Sequence, residues 1–263
     1  MEHVTLITGA STGMGFALAE EFARHHHDLV LVGKDGGALS SAKKRLVDSY
    51  GVKVETIEID LRDGNSAENI YSFCREHKIN VEVLVNNASG GTFGPFKNSS
   101  AVDNETNVQL DIVTPLDLTY LFLHDMNEKH HGYIMNVSST AAFQPGPNLA
   151  VFYASKSFVL SFTEALAVEE EKSGVIISCF CPGPIRTEFL EESGMDKSKI
   201  VKKFKPIDPQ KAANEAYKAL MKGKVVVIPG FKNKRRAFDV RILSRKCVRH
   251  LMKNITSPIV DEK

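Results

Sequence analysis

Short runs of β-branched and aliphatic residues alternate along this chain with longer stretches whose apolar positions recur every three or four residues, the pattern of successive strand–helix–strand units. The runs predict seven strands: Val4 to Thr8, Asp28 to Val32, Val52 to Ile59, Val81 to Asn86, Tyr133 to Val137, Val175 to Phe180 and Lys224 to Ile228. The periodic stretches predict helices over Met14 to Arg24, Ala38 to Tyr50, Ala67 to Glu76, Val102 to Glu128, Phe152 to Lys172 and Asp208 to Met221. Pro115 should interrupt or kink the fourth, because it offers no N–H to the helical ladder. Near-continuous apolar strands suit a sheet covered on both faces, and crossovers between parallel strands are right-handed. The expected fold is therefore α/β, a Rossmann-type doubly wound parallel sheet of about seven strands with helices on both faces. Residues 184–206 follow neither period and are expected to form a lid over a substrate. The expected division is a sheet domain over residues 1–230, lid included, and an extension over residues 231–263.

At 263 residues and 43% hydrophobic, the chain can bury a sizeable core and is too apolar to be largely disordered. Its 33 Lys and Arg nearly cancel 32 Asp and Glu, so no global field gathers nucleic acid, and none is expected as a partner. No secretory leader and no membrane-length apolar run is expected. Cys74, Cys179, Cys181 and Cys247 are scattered without framework or zinc spacing, which points to reduced thiols and a cytoplasmic location, with no metal site. Cys179 and Cys181 alternate in a strand and read as two small buried hydrophobes. His25, His26 and His27 close the first helix and read as solvated surface rather than metal ligands.

Candidate chemistry begins directly after the first strand. In Thr8-Gly9-Ala10-Ser11-Thr12-Gly13-Met14-Gly15, the glycines let the backbone turn and approach a pyrophosphate, and the following helix N-terminus supplies N–H donors. The second strand ends in Gly33-Lys34 where an acidic residue would bind a ribose; Lys34 suits a 2′-phosphate, so NADP (NADPH) is preferred over NAD, although Asp35 stands beside it. Tyr153 and Lys156 lie three residues apart on one helix face, close enough for the ammonium to favour the phenolate. Ser138 and Ser139 stand at the end of the fifth strand; their spacing to Tyr153 leaves open which points inward, and alternation beyond Asn136 and Val137 favours Ser139.

These motifs, with Asp60-Leu61, Asn86-Asn87-Ala88, Asn107 and Pro182-Gly183 followed by Thr187, resemble the short-chain dehydrogenase/reductase family in order and spacing from Val4 to about Pro229. The resemblance implies a catalytic tetrad of Asn107, Ser139, Tyr153 and Lys156. It also implies that Gly9, Ser11, Thr12, Gly13, Met14, Gly15, Lys34, Asp60, Leu61, Asn87, Ala88, Tyr153, Lys156, Pro182, Gly183, Ile185 and Thr187 bind the cofactor. Among these, Asp60 would contact the adenine and Thr187 the nicotinamide carboxamide. Tyr153 would exchange the proton of a ketone or secondary alcohol, with Ser139 steadying the oxygen. Ser89 replaces the family's usual glycine, and Thr12 stands where NADP-dependent members often carry arginine. A cofactor-sensing regulatory protein on the same fold is the alternative.

Phe93, Phe96, Phe143, Phe189 and Leu190 fall in loops around the expected site and suggest an apolar substrate, a hydroxysteroid, bile acid or acyl ketone among them, though ordinary packing explains them as well. The family implies a homodimer or homotetramer through the long helices. Beyond residue 230 the chain resembles the C-terminal extension of a steroid-dehydrogenase-like branch. Drawn as one helix, it carries a stripe of Val240, Leu243, Cys247 and Leu251 opposite Arg241, Arg245, Lys246, Arg249 and Lys253. Packing of the stripe on the protein is favoured over peripheral membrane contact. From Phe231 to Lys253 nine Lys or Arg face one acid, a net of 9 − 1 = +8, which leaves 24 − 31 = −7 on the remainder.

Overall fold

The computed structural model describes residue 1 and residues 3–204 and 206–259; the last four residues of the extension lie outside these. Seven strands form one parallel sheet: β1 (Val4–Thr8), β2 (Leu29–Gly33), β3 (Val54–Glu58), β4 (Val81–Asn86), β5 (Gly132–Val137), β6 (Val175–Phe180) and β7 (Val226–Val227), in the order β3-β2-β1-β4-β5-β6-β7. All seven expected strands are present, with β3 and β7 shorter than their apolar runs. Successive side chains enter opposite layers, so Leu6 packs with α3 (Ser66–Glu76), α5 (Thr114–Lys129) and α6 (Ala150–Glu169), while Ile7 packs with α1 (Gly13–Arg24), α2 (Gly36–Tyr50) and α9 (Pro209–Leu220). Leu6, Ile7, Phe22, Leu31, Leu84 and Leu118 are fully buried, each contributing about 1.5–3 kcal/mol of transfer free energy. The strand order reverses between β2-β1 and β4, which opens a crevice at the carboxyl ends of these strands.

Local chemistry sets the helix ends. Asp35 caps α2 by accepting from the Ala38 N–H at 2.9 Å, and Asp208 caps α9 through the Lys211 N–H at 3.0 Å with Pro209 in the first turn. The expected fourth helix is two helices, α4 (Ala101–Val108) and α5, joined by a π turn at Gln109–Val113. Pro115 has no N–H for the Asp111 carbonyl four residues earlier, and the ladder widens there, with Thr114 N–H bonding the Gln109 carbonyl. α6 is long and apolar enough to cross a membrane by length and composition, contrary to the expectation of no such run. Its inner face packs against β6 and the sheet, while Ser161, Glu164 and Glu169 are exposed.

The lid is more ordered than its sequence suggested. It contains α7 (Phe189–Glu192), a short 3-10 turn and α8 (Lys199–Lys203), and Ile185 pairs with Ile207 where it leaves the sheet domain. The extension breaks into α10 (Phe231–Ile242) and α11 (Arg245–Ile255), because Leu243 is extended and Ser244 caps a new helix by accepting from the Cys247 N–H. This corrects the single stripe. The break resets the helical phase, so α11 buries Val248, Met252 and Ile255, whereas Leu243, Cys247 and Leu251 are exposed and Val240 is half-buried. The extension packs on the protein as expected, through a different face. Ser198 pairs with Pro258 and Lys199 N–H donates to the Ser257 carbonyl, which fastens the lid to the extension.

Candidate active site

A cleft of about 990 Å³ runs from the glycine loop over the ends of β1, β4 and β5 to the lid and the extension. At one end the glycine loop is held open by backbone conformations that only glycine adopts freely: Gly9 has φ +63° and Gly13 φ +56°. A Cβ on Gly15 would overlap the Gly9 carbonyl oxygen, so the helix can close on the loop only without a side chain there. Asn87 ties the loop from beneath, its Nδ2 donating to the carbonyls of Thr8 (2.9 Å) and Gly9 (3.2 Å), while the Thr8 hydroxyl accepts from the N–H groups of Asn87 and Ala88. Ser11, Thr12 and Met14 line the cleft, and the N-cap Thr12 makes no side-chain bond to the first N–H groups of α1. This cradle fits a pyrophosphate.

Lys34, Asp60 and Leu61 line the cleft beyond the loop. Asp35 also lines it, yet its carboxylate is the N-cap of α2. Arg62 is an addition that sequence reasoning missed. Its Nε donates to Asp60 Oδ1 at 2.9 Å and its Nη2 contacts Oδ2, which holds the Asp60 carboxyl below its ordinary range, with a smaller pull from Lys34. Two cations therefore flank this end of the cleft.

At the other end stand Ser139, Tyr153 and Lys156. Ser138 and Ser139 separate by use: the Ser138 hydroxyl is buried and donates to the Lys156 carbonyl at 2.7 Å, fixing α6 to the end of β5. Ser139 lines the cleft, accepts from the Ala141 N–H and donates to the Pro182 carbonyl at 3.3 Å. Beneath them a buried chain links Asn86 to Asn136 (2.8 Å) and Asn136 to Thr163 (3.0 Å), which locks β4, β5 and α6 together. Tyr153 is 5% exposed, and burial pushes its hydroxyl above the ordinary tyrosine value. Its ring occupies space that a Cβ on Gly146 would fill. Lys156, 3% exposed, directs Nζ toward the Val137 carbonyl (3.4 Å) and lies 3.8 Å from Asp111 Oδ1. Asn107 lines the cleft but bonds only to the Thr92 hydroxyl, at 3.5 Å, among the described contacts. The side chain from this helical segment that reaches Lys156 is Asp111.

Pro182, Gly183, Ile185 and Thr187 form the wall facing the glycine loop; a Cβ on Gly13 would lie 3.2 Å from Thr187. A Cβ on Gly183 would come within 2.7 Å of Asn233, a buried residue of α10 whose Nδ2 donates to the Pro229 carbonyl. Asn233 too was invisible in the sequence, since nothing local ties residue 233 to residue 183. Around Tyr153 the wall turns apolar: Leu149, Met195, Ile200, Val248, Met252 and Ile255 cluster with Phe93, Phe152, Phe189 and Leu190. Of the five apolar loop residues expected here, Phe96 is instead exposed and Phe143 packs beside Cys179 and Cys181. Those two thiols are buried with Sγ atoms 3.5 Å apart. His25 stacks on Tyr217 at 4.1 Å, but His27 departs from the expected surface role: it is buried and bonds the Thr5 hydroxyl.

The profile of the short chain dehydrogenase family matches residues 3–198. The chain belongs to the short-chain dehydrogenase/reductase family. Its relatives include oxidoreductase UcpA of Salmonella typhimurium, 30% identical over 82% of this chain and 79% of that protein. The 17-beta-hydroxysteroid dehydrogenase type 3 of Mus musculus is 30% identical over 78% of this chain and 67% of its own. Among solved structures, a short-chain dehydrogenase from Sphingobium yanoikuyae in complex with NADPH aligns with a TM-score of 0.81 at 28% identity over 99% of both chains. This short-chain dehydrogenase is thus an oxidoreductase acting on alcohol or ketone substrates and binding a nicotinamide cofactor. The glycine cradle and the Asn87 tether fit that cofactor.

Proposed function

We propose that the enzyme is an NADP(H)-dependent carbonyl reductase and secondary-alcohol dehydrogenase for an apolar substrate of steroid-like or acyl character. The observation that carries this reading is the dual membership of Tyr153, which lines the cleft that begins at the glycine loop and also belongs to the apolar cluster under the lid. A bound nicotinamide supplies or accepts the hydride. The chain's own residues do the rest. Ser139 and the Tyr153 hydroxyl donate hydrogen bonds to the carbonyl oxygen as it gains negative charge, and Tyr153 gives up its proton. The apolar wall excludes water, which strengthens both hydrogen bonds. In the reverse direction the Tyr153 phenolate takes the alcohol proton. Lys156 favours that phenolate.

Supporting NADP(H) over NAD(H) are Lys34 and Arg62 at the glycine-loop end, the engagement of Asp60 by Arg62, and the use of Asp35 as a helix cap. The NADPH complex of the Sphingobium relative is consistent with this choice. Supporting an apolar substrate are the lid cluster and the hydroxysteroid dehydrogenase among the relatives. We further propose a homo-oligomer joined through α5 and α6, whose outer faces expose Tyr120, Phe158 and Val168. A cytoplasmic location is proposed on the four free thiols, among which Cys179 and Cys181 lie in hydrogen-bond contact without forming a disulfide. The test is a panel of steroid, acyl and small ketones with NADPH and with NADH, followed at the nicotinamide absorbance. The reading expects turnover on the larger apolar ketones and a kcat/KM for NADPH at least about tenfold above that for NADH. Silence across the panel, or a preference for NADH, would overturn it.

A further inference from the structure

Lys156 has a charged neighbour that the sequence motifs do not assign. Asp111 has a side-chain exposure of 0%, and its Oδ1 stands 3.8 Å from Lys156 Nζ. Oδ1 also accepts from the Gly90 N–H at 3.0 Å, and Oδ2 is buried with no hydrogen-bond partner among the described residues. A carboxyl group is costly to bury unless something requires it there, because an unpaired charge in a dry site loses its hydration. The local backbone is arranged around it. Asp111 lies in the π turn, four residues before Pro115, where the widened helix adjoins α6. The family resemblance implies a carboxamide as the fourth member of the tetrad, neutral at every pH; the group that reaches Lys156 here is ionisable.

We propose that Asp111 is a positioning residue that holds a carboxylate against the Lys156 ammonium and so weakens the pull of that ammonium on Tyr153, biasing the site toward carbonyl reduction. The inference rests on the catalytic reading given above. A lone ammonium near a phenol stabilises the phenolate, the form that oxidises an alcohol. A carboxylate opposite the ammonium cancels much of that field and leaves Tyr153 in the hydroxyl form that reduction consumes. Burial of Tyr153 acts in the same direction. Burial pushes the Asp111 carboxyl above its ordinary range; the charged group acting against that is Lys156 from α6, and the loop after β4 adds the Gly90 N–H and the Ser89 hydroxyl on the same side as Lys156.

The test is the pH dependence of both directions in the full-length enzyme, wild type against Asp111→Asn, using NADPH with a ketone that the wild type turns over and NADP⁺ with the matching alcohol. The variant keeps the size of the side chain and its acceptor for Gly90 while removing the charge. The expected result is that the rise of oxidation with pH and the alkaline fall of reduction both move to lower pH by about one unit, so that oxidation below its midpoint is about tenfold faster than in wild type. Asp111→Ser removes the charge with a smaller side chain and should move both limbs the same way; it serves if Asp111→Asn does not fold. Profiles that overlay the wild type in a folded, active variant, or that move to higher pH, would overturn the inference. A wild type inactive on every ketone and alcohol would instead overturn the catalytic reading, which keeps the two failures apart.

Discussion

A single methyl group separates Gly146 from a collision with the Tyr153 ring, since a Cβ at residue 146 would lie within that ring's own volume. The backbone of Gly146 is not among the positive-φ glycines, so alanine is tolerated conformationally and the ring must move instead. Gly146→Ala should therefore lower kcat by about 10²-fold, the usual cost of displacing a reacting group by roughly an ångström, with the cofactor Kd little changed. Steady-state kinetics with cofactor titration checks this, and an unaltered kcat would contradict the packing. At this scale the sequence was legible where chemistry is local. Tyr153 and Lys156 share one helix face, Ser139 follows β5 closely, and the glycine trio follows β1 directly, so spacing, strand alternation and the family resemblance together pointed to them. Asp111, Arg62, Gly146 and Asn233 were not legible, because each acquires its role from a partner that the fold supplies: Lys156, the cleft beside Lys34, the Tyr153 ring and Gly183. The resemblance made Asn107 a member of the tetrad; Asn107 lines the cleft, and the side chain that the π turn brings to Lys156 is Asp111.

The elements that shape the substrate end are the lid and the extension, and they share one apolar cluster. α8 contributes Ile200, α11 contributes Val248, Met252 and Ile255, and Arg236 of α10 lays its guanidinium over Phe204 at 3.9 Å. Met252→Asp would bury an unpaired carboxylate in this cluster, and the lid would loosen before the sheet core does. The expected outcome is a KM for the ketone raised about tenfold or more, with the cofactor Kd within a few-fold of wild type. An equal loss of both affinities would mean that the cluster supports the whole domain rather than the lid. The seven strands and helices α1, α2, α3, α6 and α9 were legible from periodicity, whereas the stretch read as one fourth helix is α4 and α5 joined at the π turn. The lid helices span only 4 and 5 residues, too few to show a period. The phase of the extension was lost at Leu243 and Ser244, two extended residues that rotate everything that follows.

Across the whole molecule the near-neutral charge conceals opposed halves, +8 on Phe231 to Lys253 and −7 on the remainder. The extension nevertheless docks chiefly through apolar contacts, and Arg241, Arg245, Lys246, Arg249 and Lys253 stay exposed. Exposed apolar residues also mark the outer face of α6, where Phe158 stacks on Phe162 at 5.7 Å and Val168 is 66% exposed. If subunits join there, Phe158→Glu with Val168→Glu should convert the assembly to monomers in sedimentation velocity, and a wild type that is already monomeric would remove that surface from consideration. The proposed mechanism is a matter of chemistry rather than assembly: it passes the substrate's proton through the Tyr153 hydroxyl. The most direct measurement is the single-turnover rate of Tyr153→Phe on a ketone accepted by the wild type, taken with its NADPH dissociation constant. A loss of about 10³-fold or more with the dissociation constant unchanged within a few-fold is predicted; a variant that retains the wild-type rate would contradict the claim.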